Sequence, residues 1–157
     1  MILDGTKHAF KQNRYNMRRG PPLRGVQGLR TLTMTYLIVF LGGGIGAALR
    51  HGVNVAAARL FGTGFPYATM IENVSGSLVM GLLAGYFAFR DGAASHLQLF
   101  LTTGILGGYT TFSAFSLDAV LLYERGALGL ASLYVLGSVV LSIAGLVAGL
   151  ALARQVF

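Results

Sequence analysis

Four apolar stretches, each long enough to cross a bilayer and each set off from the next by a few turn-forming or charged residues, decide what this chain can fold into. A helix rises about 1.5 Å per residue, so roughly 20 apolar residues span a hydrocarbon core of about 30 Å. The pattern predicts spans over residues 36–60, 67–89, 97–123 and 128–152. Lipid cannot satisfy backbone N–H and C=O groups, so such spans fold as helices, and the expectation is an all-α integral membrane protein of four transmembrane helices. These spans use most of the 157 residues, only 11% of which are charged, so little chain is left for a soluble catalytic module and no enzyme is expected. Cysteine is absent and the three histidines, His8, His51 and His96, are scattered, which leaves no disulfide and no thiolate or histidine metal cluster.

The formal charge of +7 belongs to one end of the chain. Residues 1–33 carry seven Lys and Arg (Lys7, Lys11, Arg14, Arg18, Arg19, Arg24 and Arg30) against Asp4, whereas five Arg face four acids from Met34 onward. A basic tail can meet anionic lipid headgroups or RNA. The simpler reading is a disordered tail whose charges bias insertion, with no nucleic acid as partner. Met17 and Met34 are candidate true starts, since Met34 lies directly before the first apolar run. With four spans, Arg90 and Arg154 share the side of the N-terminus and Arg59 and Arg125 lie opposite, so the body can insert either way up and the tail favours a cytoplasmic N-terminus.

Within the spans, small and polar residues follow a pattern. Gly42 and Gly46 in the first, Ser77, Gly81 and Gly85 in the second, and Gly145 and Gly149 in the fourth recur every four residues, the spacing that lets helices approach closely in lipid. Arg50 and His51 fall on the second half of the first span; an arginine there is either a functional charge or one that snorkels to the interface. The third span, HLQLFLTTGILGGYTTFSAFSLDAVLLYERG, holds Gly104, Gly107 and Gly108 near its centre, followed by Thr110, Thr111 and Ser113. Leu97 to Gly107 covers only about half of the hydrocarbon core, so this helix is expected to break near 107–111. Carbonyls and amides at such a break must be buried in protein or line a wet, ion-binding cavity. Ser138 and Ser142 lie one turn apart, on one face of the fourth span.

Several of these residues bear on chemistry. Gly42, Gly44 and Ala47 imitate a dinucleotide fingerprint, but the next acid is Glu72 and no helix-strand unit follows, so close packing explains them better. Asn73, in the first third of the second span, can donate and accept; it is either interhelical glue or part of a polar pathway. Beside it, the Glu72 carboxylate must be paired, protonated or wet, and Arg50 is a candidate partner. The run Thr110-Thr111-Phe112-Ser113-Ala114-Phe115-Ser116 offers hydroxyl donors and two phenylalanines on one side of a resumed helix. Ring edges are positive and hydroxyls donate, so this lining suits a small anion stripped of water gradually.

At these residues the sequence resembles the Fluc (CrcB) family of fluoride channels. The matching pieces are GGGIGAALR in the first span, the N-x-x-G-S of Asn73 to Ser77, and TTGILGGYTTFSAFS in the third; the resemblance covers about 34–155. It implies an antiparallel, dual-topology homodimer in the bacterial inner membrane, with two pores along the interface and both subunits building each pore. It implies that Phe112 and Phe115 turn ring edges to fluoride, that Asn73 lies beside the pathway, and that Thr111, Ser138 and Ser142 form a polar track of donors. Arg50 matches an arginine near the vestibule that attracts anions by its field. The resemblance also implies a structural sodium ion on the dimer axis, held by backbone carbonyls of Gly107 and Thr110 from each subunit, hard ligands suited to that cation. Transport is expected to be passive: hydrogen fluoride enters as a neutral acid, dissociates inside, and the membrane potential drives fluoride out. The sequence carries no phosphate-binding loop for ATP.

Two positions depart from the family pattern. Glu72 stands where an apolar or small residue is usual, and Ala68 where glycine is common. An ionised carboxylate would repel an anion, so Glu72 is expected to point away from the pore or to stay protonated. Two other functions compete. Small multidrug-resistance transporters, which are proton-coupled exporters of cations, are also four-helix dual-topology dimers, but their essential glutamate lies in the first helix, where this chain has no acid. A membrane scaffold subunit explains Gly42, Gly46, Gly145 and Gly149 but leaves Thr110 to Phe115 unexplained.

Overall fold

The computed structural model describes residues 24–88 and 95–156, which form helices and short turns with no strand among them. The chain divides into two compact units, Met1–Met34 and Thr35–Phe157. In the first, residues 24–34 are helical, and Thr33 Oγ1 donates to the Leu29 carbonyl at 2.9 Å. The rest of the basic tail with Met17, and the connection 89–94 with Arg90, lie outside the described residues.

The elements are α1 (Arg24–Phe61), α2 (Tyr67–Ala88), α3 (Ser95–Leu99), a π-helical stretch (Phe100–Leu106), α4 (Gly107–Tyr109), α5 (Phe112–Glu124) and α6 (Leu128–Val156). Among the described residues four segments are long and apolar enough to cross a membrane: Leu32–Phe61, Tyr67–Ala88, His96–Glu124 and Leu128–Val156. The first helix starts earlier than the sequence predicts, so residues 24–33 are helix and not disordered tail. Pro21 and Pro22 are the last helix-breaking residues before the apolar run, and beyond them nothing stops the helix from extending toward the N-terminus. At the other end, Gly62 (φ 74°) closes α1, its N–H returning to the Ala58 carbonyl at 3.1 Å. Gly126 (φ 74°) closes α5, with Gly126 N–H on Tyr123 O at 2.9 Å and Ala127 N–H on Leu122 O at 3.1 Å. Both glycines occupy the left-handed conformation that ends helices.

Burial is the reverse of a soluble core. Phe40 and Leu60 are each 75% exposed, while Thr69, Glu72, Tyr134 and Ser138 are buried. In lipid there is no hydrophobic drive between helices, so contact rests on small residues that let backbones meet. Gly81 and Gly149 show this between α2 and α6. A Cβ on Gly81 would meet the Leu146 carbonyl and, at 2.9 Å, the Leu150 nitrogen; one on Gly149 would meet the Leu78 carbonyl and, at 2.8 Å, the Leu82 nitrogen. Gly42 of α1 similarly lies against Gly104 of the π-helical stretch.

The third span changes geometry twice. At its middle the Gly107 N–H reaches back five residues to the Thr102 carbonyl. Thr110 (φ −80°, ψ 154°) and Thr111 (φ −152°, ψ 121°) are then extended before α5 resumes. Gly107 and Gly108 are themselves helical, so the departure from helix falls at the two threonines and not at the glycine pair. Gly108 is small for another reason: a Cβ there would meet the Gly43 backbone of α1.

Candidate functional site

Extended residues inside a membrane span need partners for their backbone groups. Asn73 of α2 supplies both for Thr111. The Thr111 N–H donates to Asn73 Oδ1 at 2.8 Å, and Asn73 Nδ2 donates to the Thr111 carbonyl at 3.0 Å. The amide therefore does the work of interhelical glue, standing in for a neighbouring peptide. Thr111 Oγ1 then accepts the Ala114 N–H at 3.2 Å and caps α5, with Ser113 Oγ 3.2 Å away.

These bonds have a consequence for the carbonyls upstream. In an unbroken helix the Thr111 N–H would serve Gly107 and the Ala114 N–H would serve Thr110. Both donors are instead taken by side chains, of Asn73 and Thr111, so the Gly107 and Thr110 carbonyls are released from their helical partners. Thr110 keeps its own N–H and Oγ1 on the Leu106 carbonyl, both at 2.9 Å. Gly107 is exposed.

A groove of about 380 Å³ between α2, α5 and α6 is lined by Asn73, Thr110, Thr111, Phe112, Phe115, Ser138 and Ser142. The six proposed pathway residues, drawn from three separate helices, thus meet in one place. Phe112 and Phe115 are tilted by 38° with centroids 5.5 Å apart, and Phe112 is 78% exposed. The Ser138 and Ser142 hydroxyls of α6 are buried and have no hydrogen-bond partner. Two unpartnered donors one turn apart, on residues that line the same groove as two aromatic rings, suit a small anion or its water. Arg50 and Gly107 do not line this groove: Arg50 is half-buried on α1, and Gly107 precedes the extended residues.

Sequence reasoning missed part of the polar interior. Asp118 Oδ2 accepts from Thr69 Oγ1 at 2.6 Å and from the Tyr134 hydroxyl at 3.3 Å. Tyr134 is fully buried, and its ring stands 5.3 Å from Phe115. Asp118 and Thr69 also line a second cavity of about 230 Å³ near the α1–α2 turn, with Asn54 and Arg125. Tyr134 therefore joins the aromatic wall of the groove to this second polar space. Two signals were available: an acid inside an apolar span, and a tyrosine one turn before Ser138 on the same helix face.

Glu72 faces α1, away from the groove. It is 1% exposed, and its Oε1 accepts the Asn54 amide at 2.7 Å. Asn54, and not Arg50, closes on the carboxylate. Among the described residues no group of three or more His, Cys, Asp or Glu is placed to hold a metal ion.

The sequence matches the family described as "CrcB-like protein, Camphor Resistance (CrcB)" over residues 37–150. It is 72% identical over 123 residues to a protein of Rhodopseudomonas palustris named fluoride-specific ion channel FluC, covering 78% of this chain and 99% of that protein. A Nitrobacter hamburgensis protein named fluoride-specific ion channel FluC 2 is 66% identical over 122 residues, covering 78% and 98%. A Methylobacterium nodulans protein named fluoride-specific ion channel FluC is 65% identical over 119 residues, covering 76% and 95%. With four membrane-crossing segments and relatives matched along nearly their whole length, this is a multi-pass membrane protein, and the chain belongs to the CrcB family.

Proposed function

We propose that the protein is a fluoride-selective channel that passively exports cytoplasmic fluoride across the bacterial inner membrane and so protects against fluoride toxicity. The groove carries this reading: it is lined together by the rings of Phe112 and Phe115, by Ser138 and Ser142 with their buried, unpartnered hydroxyls, and by Asn73 and Thr111. Relatives of 65% identity and above bear the name of fluoride-specific channels. Partly immobilised donors replace the hydration shell of a small anion, and the absence of a fixed cation in the groove lining lets the ion leave again.

In this reading the functional unit is an antiparallel, dual-topology homodimer. Phe112 is exposed in a single chain, and a second copy supplies the missing wall and the second pore. The break in the third span sits at the dimer axis. There the released carbonyls of Gly107 and Thr110 fit a structural sodium ion, since two oxygens freed from helical bonds are hard ligands that lipid would leave unsatisfied. The ion would fix the two breaks against each other. Arg50 provides a positive field at the vestibule. A proton-coupled cation exporter is disfavoured by the placement of Glu72, which is turned to Asn54 and away from the groove. A scaffold has no use for two orphaned hydroxyls on the lining of an aromatic groove.

The test is reconstitution of the purified protein in liposomes with efflux followed by a fluoride electrode, and chloride as the control. Fluoride efflux without chloride efflux is expected. No fluoride efflux, or equal chloride efflux, defeats the proposal.

A further inference from the structure

Glu72 takes no part in the groove, yet it is one of the most completely buried side chains of the protein, at 1% exposure. Its Oε1 accepts the Asn54 amide at 2.7 Å, and its Oε2 is buried with no hydrogen-bond partner. The same Asn54 Nδ2 also donates to the Arg50 carbonyl at 3.0 Å. Arg50 and Asn54 are one turn apart on one face of α1. Since Asn54 touches Glu72, that face is the one turned toward the carboxylate.

A buried carboxylate with an open oxygen is retained where a counter-charge lies close. Asp118 is of the wrong sign and is already engaged by Thr69 and Tyr134. Arg50 is the cation that the fold brings to the same helix face. Resting on the fluoride-channel reading above, we propose that Glu72 is the built-in counter-charge of Arg50: without touching the guanidinium, it cancels part of its field from across the α1–α2 contact, and so sets how strongly the vestibule attracts anions.

The physical consequence lies in salt dependence. A lone cation attracts an anion over roughly a Debye length, about 30 Å at 0.01 M salt and about 8 Å at 0.15 M. A cation paired with a nearby carboxylate acts as a dipole, whose field falls faster with distance and leaves less for salt to screen. Removing the Glu72 charge alone turns the pair into a lone cation. Removing the Arg50 charge alone takes away the cation that attracts the anion.

The experiment measures fluoride efflux from liposomes at low and high concentrations of an impermeant salt, osmotically balanced with sucrose. It compares the unaltered protein with Glu72→Gln, Arg50→Gln and the double variant. Gln at 72 keeps an acceptor for Asn54, and size-exclusion elution reports whether each variant assembles. Glu72→Gln is expected to raise low-salt efflux about twofold, with the gain lost at high salt. Arg50→Gln should lower low-salt efflux and lose the salt response, and the double variant should match it. The inference is overturned if Glu72→Gln matches the unaltered protein at both salts, or if its salt response survives in the Arg50→Gln background. Should Glu72→Gln fail to assemble, an Arg50→Gln protein with the low-salt efflux and salt response of the unaltered protein overturns it alone. An unaltered protein that passes no fluoride defeats the channel reading itself, whereas a conducting protein indifferent to both charges defeats only the pairing.

Discussion

Asn73 holds Thr111 by both ends of its peptide unit, accepting the N–H at 2.8 Å and donating to the carbonyl at 3.0 Å. A side-chain amide has one acceptor and a pair of donors on adjacent atoms, the same arrangement as a passing strand of backbone. It lets a transmembrane segment leave helical geometry for two residues while keeping the backbone of buried Thr111 bonded.

Replacing that amide therefore acts on stability. Asn73→Leu strands a buried N–H and a buried carbonyl, each costing about 1–3 kcal/mol. Asn73→Asp keeps the acceptor for the Thr111 N–H but opposes the Thr111 carbonyl with a second acceptor, and should also destabilise. Thermal unfolding in detergent is expected to show a lower midpoint for both variants. An Asn73→Leu protein as stable as the original would mean that the clamp is incidental.

The glycines separate by a similar logic. Gly149 has the Leu78 carbonyl and the Leu82 nitrogen where its Cβ would be, so Gly149→Val must push α6 off α2 and should abolish a folded, monodisperse protein. Gly129, near the start of α6, has nothing within 4 Å of an added Cβ. Gly129→Ala should be neutral or stabilising by about 0.5–1 kcal/mol, since alanine is the better helix former. Expression level and size-exclusion profile of the two variants check the contrast.

Much of this architecture is legible in the sequence because lipid imposes a simple rule on length and polarity. The turns at Gly62, Pro66 and Gly126, and the small-residue spacing of Gly81 and Gly149, follow from it directly. The start of α1 at Arg24 is less legible, because a polar helical turn leaves no hydrophobic signature beyond the absence of proline. The third span shows a different limit. Glycine suggests flexibility, yet Gly107 and Gly108 stay helical and the extended residues are Thr110 and Thr111. What decides this is the position of Asn73 on another helix, a tertiary fact that no local pattern contains. The bond between Asp118 and Tyr134 was hidden for the same reason, since their partnership depends on how α5 and α6 face each other.

The aromatic pair offers a test in which fold and function come apart. Phe112 is 78% exposed in the single chain and has one ring contact, with Phe115, so Phe112→Ile should cost no more than about 1 kcal/mol. Phe115 stacks between Phe112 and Tyr134, with centroids 5.5 and 5.3 Å away, and loses ring contacts worth about 0.5–1.5 kcal/mol in Phe115→Ile. If ring edges carry fluoride, the double variant should assemble and lose at least about tenfold in efflux, equivalent to about 1.4 kcal/mol on the barrier. Normal conduction by the double variant would remove the rings from the pathway.

Ser138 and Ser142 give the sharpest separation of all, because their hydroxyls are buried and bonded to nothing in the protein. If they are only structural, they are a liability: a buried donor without a partner destabilises by about 1–3 kcal/mol, and alanine at both positions should raise the unfolding midpoint and leave transport alone. If they donate to a permeating anion, Ser138→Ala with Ser142→Ala should equally leave stability unchanged or raised, but fluoride efflux should fall by about tenfold, since each lost donor leaves a partly dehydrated ion without compensation. The stability arm is the same in both cases, so the rate decides. Single variants refine the result: Ser138 is the more deeply buried, at 3% exposure, and Ser138→Ala should lower efflux more than Ser142→Ala. A double variant that is more stable and conducts at the original rate would show that the groove's orphaned hydroxyls serve no ion.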